Sequence, residues 1–440
     1  MKKENTIQTL RRFCDAKCDC GKQHDFCIDD VIVEKGAINR IAEVVSRYHA
    51  KKVFLLADLN TYQAAGKAIC ETLSAANISV SKHIFNESSP EPDEHTVGSA
   101  VMGFDPGCQL VLAVGSGVIN DVGKILASTA HLPYIIFGTA PSMDGYASAT
   151  SSMSVGGLKV SLPSKQANVI MADTEILAKA PKELLQAGIG DMLAKYVAIC
   201  EWKIANVVVG EYYCSRIAET VLSSLEKCVS NPDGLLNREE TAIANVFEGL
   251  VLCGIGMSLA GCSRPASGVE HYFSHVWDMR GLAKGTPVAL HGIQCAIGTR
   301  LAIERYERLK RTVPDKERAL QHAAAFDFDV WSGTLRDFIG AGAEQMIAQE
   351  AKEHKYDREL HAKRLDIILE HWSELLEIMN TLPSEAEIVS ILDRIGAPKT
   401  VEEIGISEEI VPLTFEATKD IRDKYVLSRL YWDLGMLPVE

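Results

Sequence analysis

From residue 31 to residue 173 the chain alternates short β-branched runs with amphipathic stretches. VIVEKG (31–36) precedes AINRIAEVVSRYHA, VFLLA (53–57) precedes a helical pattern over 60–76, and ISVSKHIF (78–85) and LVLAV (110–114) each lead into another. YIIF (134–137) and NVIMAD (168–173) are further strand candidates. Alternation of this kind predicts β-α-β units, hence a mainly parallel, Rossmann-like sheet with helices on both faces. Beyond Asp173 the strand pattern stops. From Pro181 to Leu437, Ala, Leu, Glu and Lys recur at helical spacing, with breaks near Asn231–Gly234, Gly281–Thr286, Pro314 and Pro398. The expected organisation is an α/β domain over 1–180 followed by an all-α domain over 181–440, with a ligand cleft between them. The charged run from Gln349 to Arg364 reads as a solvated helix face.

Composition narrows the class. The 440 residues are 47 % hydrophobic, enough for a sizeable core, and the net charge of −14 argues against a duplex nucleic-acid binder, which needs a basic footprint. The most apolar stretch, Gly249–Cys262, is too short and Gly-rich for a membrane span and reads as a buried helix. The opening MKKENTIQTLRRFC has no apolar leader segment, so a cytoplasmic protein is expected. Of the 12 cysteines, eight, such as Cys200, Cys253, Cys262 and Cys295, sit singly in apolar or helical surroundings and read as small core residues. Cys14, Cys18, Cys20, His24 and Cys27 instead cluster within 14 residues. They offer zinc's preferred donors at irregular spacing, which leaves two readings open: a small zinc knuckle or an ordinary reduced segment.

Chemistry is concentrated at a few points. LVLAVGSGVINDVGK reads strand, Gly115-Ser116-Gly117, helix. Glycines there let the backbone turn sharply and set bare N–H groups and a helix N-terminus against a phosphate anion. A tight connection without ligand is the competing reading. Asp121, in the first helical turn, is either a cofactor contact or an acid complementing the helix dipole. Asp58 ends the VFLLA strand, where a carboxylate accepts hydrogen bonds from a ribose diol and repels a 2′-phosphate. The alternative for Asp58 is a helix-capping or loop acid.

In the helical half, Asp191 lies in AGIGDMLAKY, His271 and His275 in SGVEHYFSHVWD, and His291 in VALHGIQCAIG. All sit among small or apolar residues, where an unsatisfied polar group is costly. Two imidazoles and a carboxylate make a divalent-metal site with an open fourth position. A hydrogen-bonded core histidine is the alternative for each taken singly; their joint occurrence favours the metal.

The strings GSGVINDVGK, TAPSMDGYAS, GIGDMLAK and SGVEHYFSH, the His291-Gly292 pair and the closing DIRDKYVLSRLYWDLGML together resemble the iron-containing, or group III, polyol dehydrogenase superfamily. Within it the chain is similar to the bacterial glycerol-1-phosphate dehydrogenases. The resemblance implies a dehydroquinate synthase-like architecture, with the glycine turn on the pyrophosphate of NAD(H), NADP(H) being the alternative. Thr139, Ser142 and Ser148 then lie near the nicotinamide, and Asp58 and Asp121 join the cofactor set. Asp191, His271 and His291 hold one divalent metal, zinc or nickel. The implied reaction is reduction of dihydroxyacetone phosphate to sn-glycerol 1-phosphate, with Asp144 on a substrate hydroxyl and His275, one turn beyond His271, relaying a proton.

The chain departs from the iron alcohol dehydrogenases at one position. Those carry a second His four residues after the Asp, where this chain has Lys195. A protonated Lys cannot ligate a metal, which implies three protein ligands plus water or substrate and argues against iron. Lys195 and Lys159 are the candidates to meet the substrate's phosphate, since the protein as a whole repels dianions, an ordinary surface lysine being the alternative for each and the favoured one for Lys159. A homodimer with no nucleic-acid or membrane partner is expected. Two rivals stand beside this reading: a glycerol dehydrogenase or dehydroquinate-synthase-like enzyme on the same fold, and a catalytically silent NAD(H)-binding sensor.

Overall fold

Each of the six predicted strand runs forms a strand, and a hairpin joins them. In chain order these are β1 (Asp30–Glu34), β2 (Lys52–Asp58), β3 (Ser79–Phe85), β4 (Leu110–Gly115), β5 (Tyr134–Gly138), β6 (Thr150–Val155), β7 (Leu158–Pro163) and β8 (Val169–Asp173). The computed structural model describes Leu10, Arg11, Cys14 and residues 17–87, 90–156 and 158–438; the first nine residues, on which the expectation about a leader rests, lie outside these. Six strands make one parallel sheet in the order β1-β8-β5-β4-β2-β3, while β6 and β7 pair antiparallel as a separate ribbon. Val53, Leu55, Leu112, Val114, Ile135, Phe137 and Met171 cover one face of the sheet and pack with Ile41, Val45 and Ile69. Phe54, Leu56, Val111 and Ala113, which alternate with them, are equally buried. Coverage of both faces is why these strands read as continuous apolar runs.

Five helices carry the residues of interest: α1 (Gly117–Ala130), α2 (Lys182–Val209), α3 (Glu240–Ala260), α4 (Val269–Lys284) and α5 (His291–Leu309). The chain divides into two compact units, Met1–Met192 with Glu219–Cys262, and Leu193–Ala218 with Ser263–Glu440. This differs from the expected boundary at 180/181. The reason is α3, which is apolar on nearly every side and therefore needs burial all round. Its Phe247 ring covers β5 so closely that a Cβ on Gly138 would lie 2.6 Å from it. The helix also begins earlier than its most apolar run suggests, at Glu240, and ends where Gly261 turns left-handed at φ 69°. Among the described residues α3 is the one helix long and apolar enough to cross a membrane, and 67 % of that apolar window is buried inside the protein.

The second unit is helical throughout its described residues. α4 runs through Gly281 and ends at Lys284, where Gly285 turns left-handed at φ 62°, inside the expected break over Gly281–Thr286. The charged run is not one solvated face either. It is split at His354–Asp357 between helices Ala343–Glu353 and Arg358–Glu370, and Glu350, Tyr356 and His361 within it are buried. The 12 cysteines form no disulfide.

Candidate active site

In the sheet-bearing unit the glycine turn is built as expected. β4 ends at Gly115 and α1 starts at Gly117, with Ser116 in the capping position. A Cβ on Gly115 would come 2.6 Å from Cβ of Ile119, so that position is closed to any side chain. The Thr139 N–H donates to Gly115 O at 3.1 Å, bringing the end of β5 alongside.

Asp121 stands elsewhere than predicted. It is the fifth residue of α1, beyond the first turn, so it does not complement the helix dipole. Its carboxylate pairs with Lys124 at 2.9 Å and accepts the Ser152 N–H at 3.2 Å. Lys124, fully buried, also donates to Gly145 O and Ser148 Oγ, both at 3.1 Å, and to Thr150 O at 2.5 Å. One cation thus ties α1 to the loop that bears Thr139, Ser142, Asp144 and Ser148. Sequence reasoning passed over Lys124. The signal was there: an acid three residues earlier on the same helix face, in an otherwise apolar run.

The loop itself is pressed from both sides. Asp144 heads the 3-10 turn Asp144–Ala147, and its N–H donates to Oδ2 of the fully buried Asp191 at 2.8 Å. Cys253 Sγ on α3 donates to Asp144 Oδ2 at 3.7 Å. A Cβ on Gly188 of α2 would lie 1.8 Å from Pro141 O, and one on Gly254 of α3 would lie 2.7 Å from Asp144 O. Both helices approach the loop only because glycine leaves room. Ser142 is buried and bonded to the Tyr146 hydroxyl, which also donates to Ala140 O at 2.6 Å.

Asp58 caps the short helix after β2: its Oδ1 accepts the Thr61 N–H at 2.8 Å, and its own N–H donates to Thr61 Oγ1 at 3.0 Å. Burial pushes its carboxyl up, opposed by those bonds. Lys159 is half-buried on β7, opposite Ser154.

In the helical unit His271 and His291 meet at the starts of α4 and α5, with ring centroids 5.1 Å apart. Glu270 Oε1 accepts the Nδ1–H of His271 at 2.8 Å, and Ser274 Oγ lies 2.9 Å from His291 Nδ1. Each bond turns the ring's Nε2 toward the shared space, the arrangement a metal-ligating imidazole requires. Cys295 Sγ, 3.6 Å from His291 Nε2, completes a group whose donor atoms all lie within 4.8 Å of one another. His275 stacks on His291 at 6.2 Å. Behind His271, the buried Glu201 accepts the Leu427 N–H at 2.8 Å and the Val269 N–H at 2.9 Å. Burial, and then the Glu270 charge, push Glu201 up to about 8. The fully buried Lys195 donates to Ala266 O at 3.1 Å. Glu270, Ser274, Cys295 and Glu201 were not read as site residues from the sequence, although Glu270 and Ser274 lie in the same SGVEHYFSH string as the histidines. A cavity of about 330 Å³ elsewhere in this unit, walled by Phe326, Trp331, Tyr356 and Trp432, holds none of the predicted residues.

Residues 32–181 match the iron-containing alcohol dehydrogenase family. Solved structures of that architecture share the fold. Glycerol dehydrogenase from Schizosaccharomyces pombe superposes with a TM-score of 0.58 at 18 % identity over 95 % of this chain and 91 % of its own. Maleylacetate reductase from Agrobacterium tumefaciens gives 0.60 at 14 % identity, over 94 % and 96 %. In sequence, the glycerol-1-phosphate dehydrogenase [NAD(P)+] of Geobacillus thermodenitrificans is 26 % identical over 94 % of this chain and 95 % of its own. That of Bacillus velezensis is 31 % identical over 67 % and 77 %, and that of Thermococcus sibiricus 33 % over 61 % and 75 %. The chain belongs to the glycerol-1-phosphate dehydrogenase family, within the iron-containing alcohol dehydrogenases.

Proposed function

We propose that this enzyme reduces dihydroxyacetone phosphate to sn-glycerol 1-phosphate, reversibly, with NAD(P)H as hydride donor and a divalent metal. The observation that carries the reading is the match to relatives of that activity along 94 % of the chain. The donor set suits a metal. Asp191 has a fully buried carboxylate with one oxygen engaged by the Asp144 N–H, and His271 and His291 are each held through Nδ1. These three residues would be the ligands, with zinc or nickel favoured over iron because Lys195 occupies the place of a fourth imidazole. When bound, such a metal supplies Lewis-acid polarisation of a ketone oxygen, and the nicotinamide supplies hydride.

The chain's own residues do the rest. The Gly115–Gly117 turn and the start of α1 receive the pyrophosphate. Lys124 holds the loop of Thr139, Ser142 and Ser148 in place beside the nicotinamide. Asp144 orients a substrate hydroxyl, Lys195 or Lys159 meets the phosphate, and His275 passes the proton. A cytoplasmic homodimer belongs to the same reading, and light scattering on the purified protein measures the assembly.

The test is direct. Purified protein should oxidise NADH on addition of dihydroxyacetone phosphate, and chiral analysis should find the sn-1 product. Turnover of unphosphorylated glycerol with none of the phosphate ester would overturn the assignment in favour of a glycerol dehydrogenase.

A further inference from the structure

We propose that Cys18, Cys20 and His24 bind a structural zinc ion, separate from the active-site metal, that fastens the N-terminal segment to the sheet-bearing unit. On an extended chain thiols two residues apart share a face but stand about 6.5 Å from each other, too far to chelate one ion, whereas here the chain is folded. The Gly21 N–H donates to Cys18 O at 2.8 Å and the Cys18 N–H to Lys22 O at 3.2 Å, with Gly21 at φ 85°. This tight turn brings both sulfurs to one side. The two sulfurs and a ring nitrogen of His24 lie within 4.8 Å of one another. Cys18 and His24 are 4 % and 1 % exposed, so the cluster is built into the protein.

His24 carries the strongest sign. Its Nδ1–H donates to Leu259 O at 2.7 Å, while Nε2 faces Cys20 Sγ at 3.4 Å. A backbone carbonyl on one ring nitrogen fixes the tautomer and presents the other as a lone pair, which is how metal-binding histidines are oriented. Two thiolates and an imidazole are zinc's preferred donors, and in a tetrahedral site with bonds of about 2.0–2.3 Å, donors stand roughly 3.5 Å apart. The fourth position falls to a further thiolate or to water. Of the other clustered cysteines, Cys14 donates to Leu10 O at 3.6 Å, and Cys27 is exposed.

The position gives the ion a task. Leu259 lies in the last turn of α3. Next to it, Gln166 accepts the Cys27 N–H at 2.8 Å and donates to Ser258 Oγ at 2.8 Å and to Ala147 O at 2.5 Å. The zinc clip therefore holds the segment leading into β1 against α3 and the Asp144–Ala147 turn.

Thiolate-specific signals, read in a Cys295→Ser background that removes the thiol beside His271 and His291, separate this ion from a metal on histidine and carboxylate ligands. The full-length protein, purified without added metal, should release one equivalent of zinc to a chromogenic chelator on titration with an organomercurial. Protein prepared with cobalt should show thiolate-to-cobalt charge-transfer absorption. Cys20→Ser and His24→Phe should weaken zinc retention by more than the roughly 10–100-fold that loss of an outer partner costs, and should lower Tm. His24→Cys, with the same number of donors, should keep both metal and band even if the other variants fold poorly. Replacing the remaining cysteines by Ser in turn identifies a fourth thiolate if there is one. Absence of mercurial-released zinc and of the band from the unmutated protein would overturn the proposal. So would a Cys18–Cys20 disulfide in mass spectra of the protein as isolated.

Discussion

Lys124 Nζ and Asp121 Oδ1 lie 2.9 Å apart on one face of α1, the lysine fully buried and the acid partly exposed. Around this pair gather the Gly145 and Thr150 carbonyls and the Ser148 hydroxyl. Lys124→Met keeps the apolar stem and strands that group of acceptors. Breaking a buried ion pair by removing one partner costs roughly 3–5 kcal/mol. Urea denaturation should show that loss, and KM for NADH should rise more than kcat falls, because the loop is held and not itself reactive. Unchanged stability would mean that water replaces the ammonium at no cost and that the loop needs no anchor.

Loss of either histidine should remove metal and turnover together. His271→Ala or His291→Ala is expected to leave the parallel sheet folded, since its core lies in the other unit. Metal analysis and circular dichroism of each variant check this. Full metal occupancy with near-normal activity in either would sink the ligand assignment.

Asp58 has two roles that one pair of variants separates. Asp58→Asn keeps a capping oxygen and removes the charge, whereas Asp58→Ala removes both and should cost about 1 kcal/mol of stability. A preference for NADH over NADPH is expected in the unmutated enzyme and should narrow in Asp58→Asn without loss of stability. Equal catalytic efficiency with the two cofactors before mutation would leave Asp58 as a cap alone.

Lys195→Met tests the phosphate assignment. Loss of a charge-assisted contact worth about 1.5–3 kcal/mol lowers kcat/KM for dihydroxyacetone phosphate roughly 10–150-fold. Dihydroxyacetone, which lacks the phosphate, should be little affected. Because Lys195 also satisfies Ala266 O, a stability loss of about 1–3 kcal/mol should accompany the change. Equal loss with both ketones would move Lys195 from the phosphate to the reacting oxygen, and no loss with either would pass the role to Lys159.

Glu201 makes stability depend on pH. Its carboxyl rises from the ordinary 4.5 to about 8 through burial and the neighbouring Glu270. Between those values the native state holds a proton that the unfolded chain has released, so stability is greatest below the lower value and falls as pH rises, levelling off above about 8. Within the window the slope approaches about 1.4 kcal/mol per pH unit. Glu201→Gln cannot release a proton, so denaturation curves of the variant should fall less steeply with pH than those of the unmutated protein. Parallel curves would show that Glu201 stays ionised.

The parallel sheet was legible because runs such as LVLAV and YIIF are buried on both faces and carry no polar interruption. The β6–β7 ribbon was missed because SSMSV is mostly small and polar, and what ties β6 to α1 is the bonding of Asp121 to Ser152 N–H and of Lys124 to Thr150 O. Where chemistry constrains residue type, as at Gly115, Asp191, His271 and His291, the sequence alone marks out candidates. Glu270, Ser274 and Lys124 act by hydrogen-bonding other side chains or carbonyls, and that role leaves no mark on spacing. The division into units departs from the expected boundary for a related reason: α3 looks like the helices that follow it, and its place with the sheet shows only in the fit of Phe247 against Gly138 and of its own Gly254 against Asp144 O.

The strand order has a consequence for synthesis on the ribosome. β1 is the first strand to emerge, yet its partner is β8, whose first residue, Val169, follows Glu34 by 135 positions. At about 5–20 residues per second, β1 waits roughly 7–27 s for that partner. The unit stays open still longer, because α3, ending at Ala260, belongs to it as well. A nascent chain stalled near residue 180 would present an apolar sheet face and an unfilled helix berth to chaperones, which makes that stretch of translation the interval in which this enzyme is most open to misassembly.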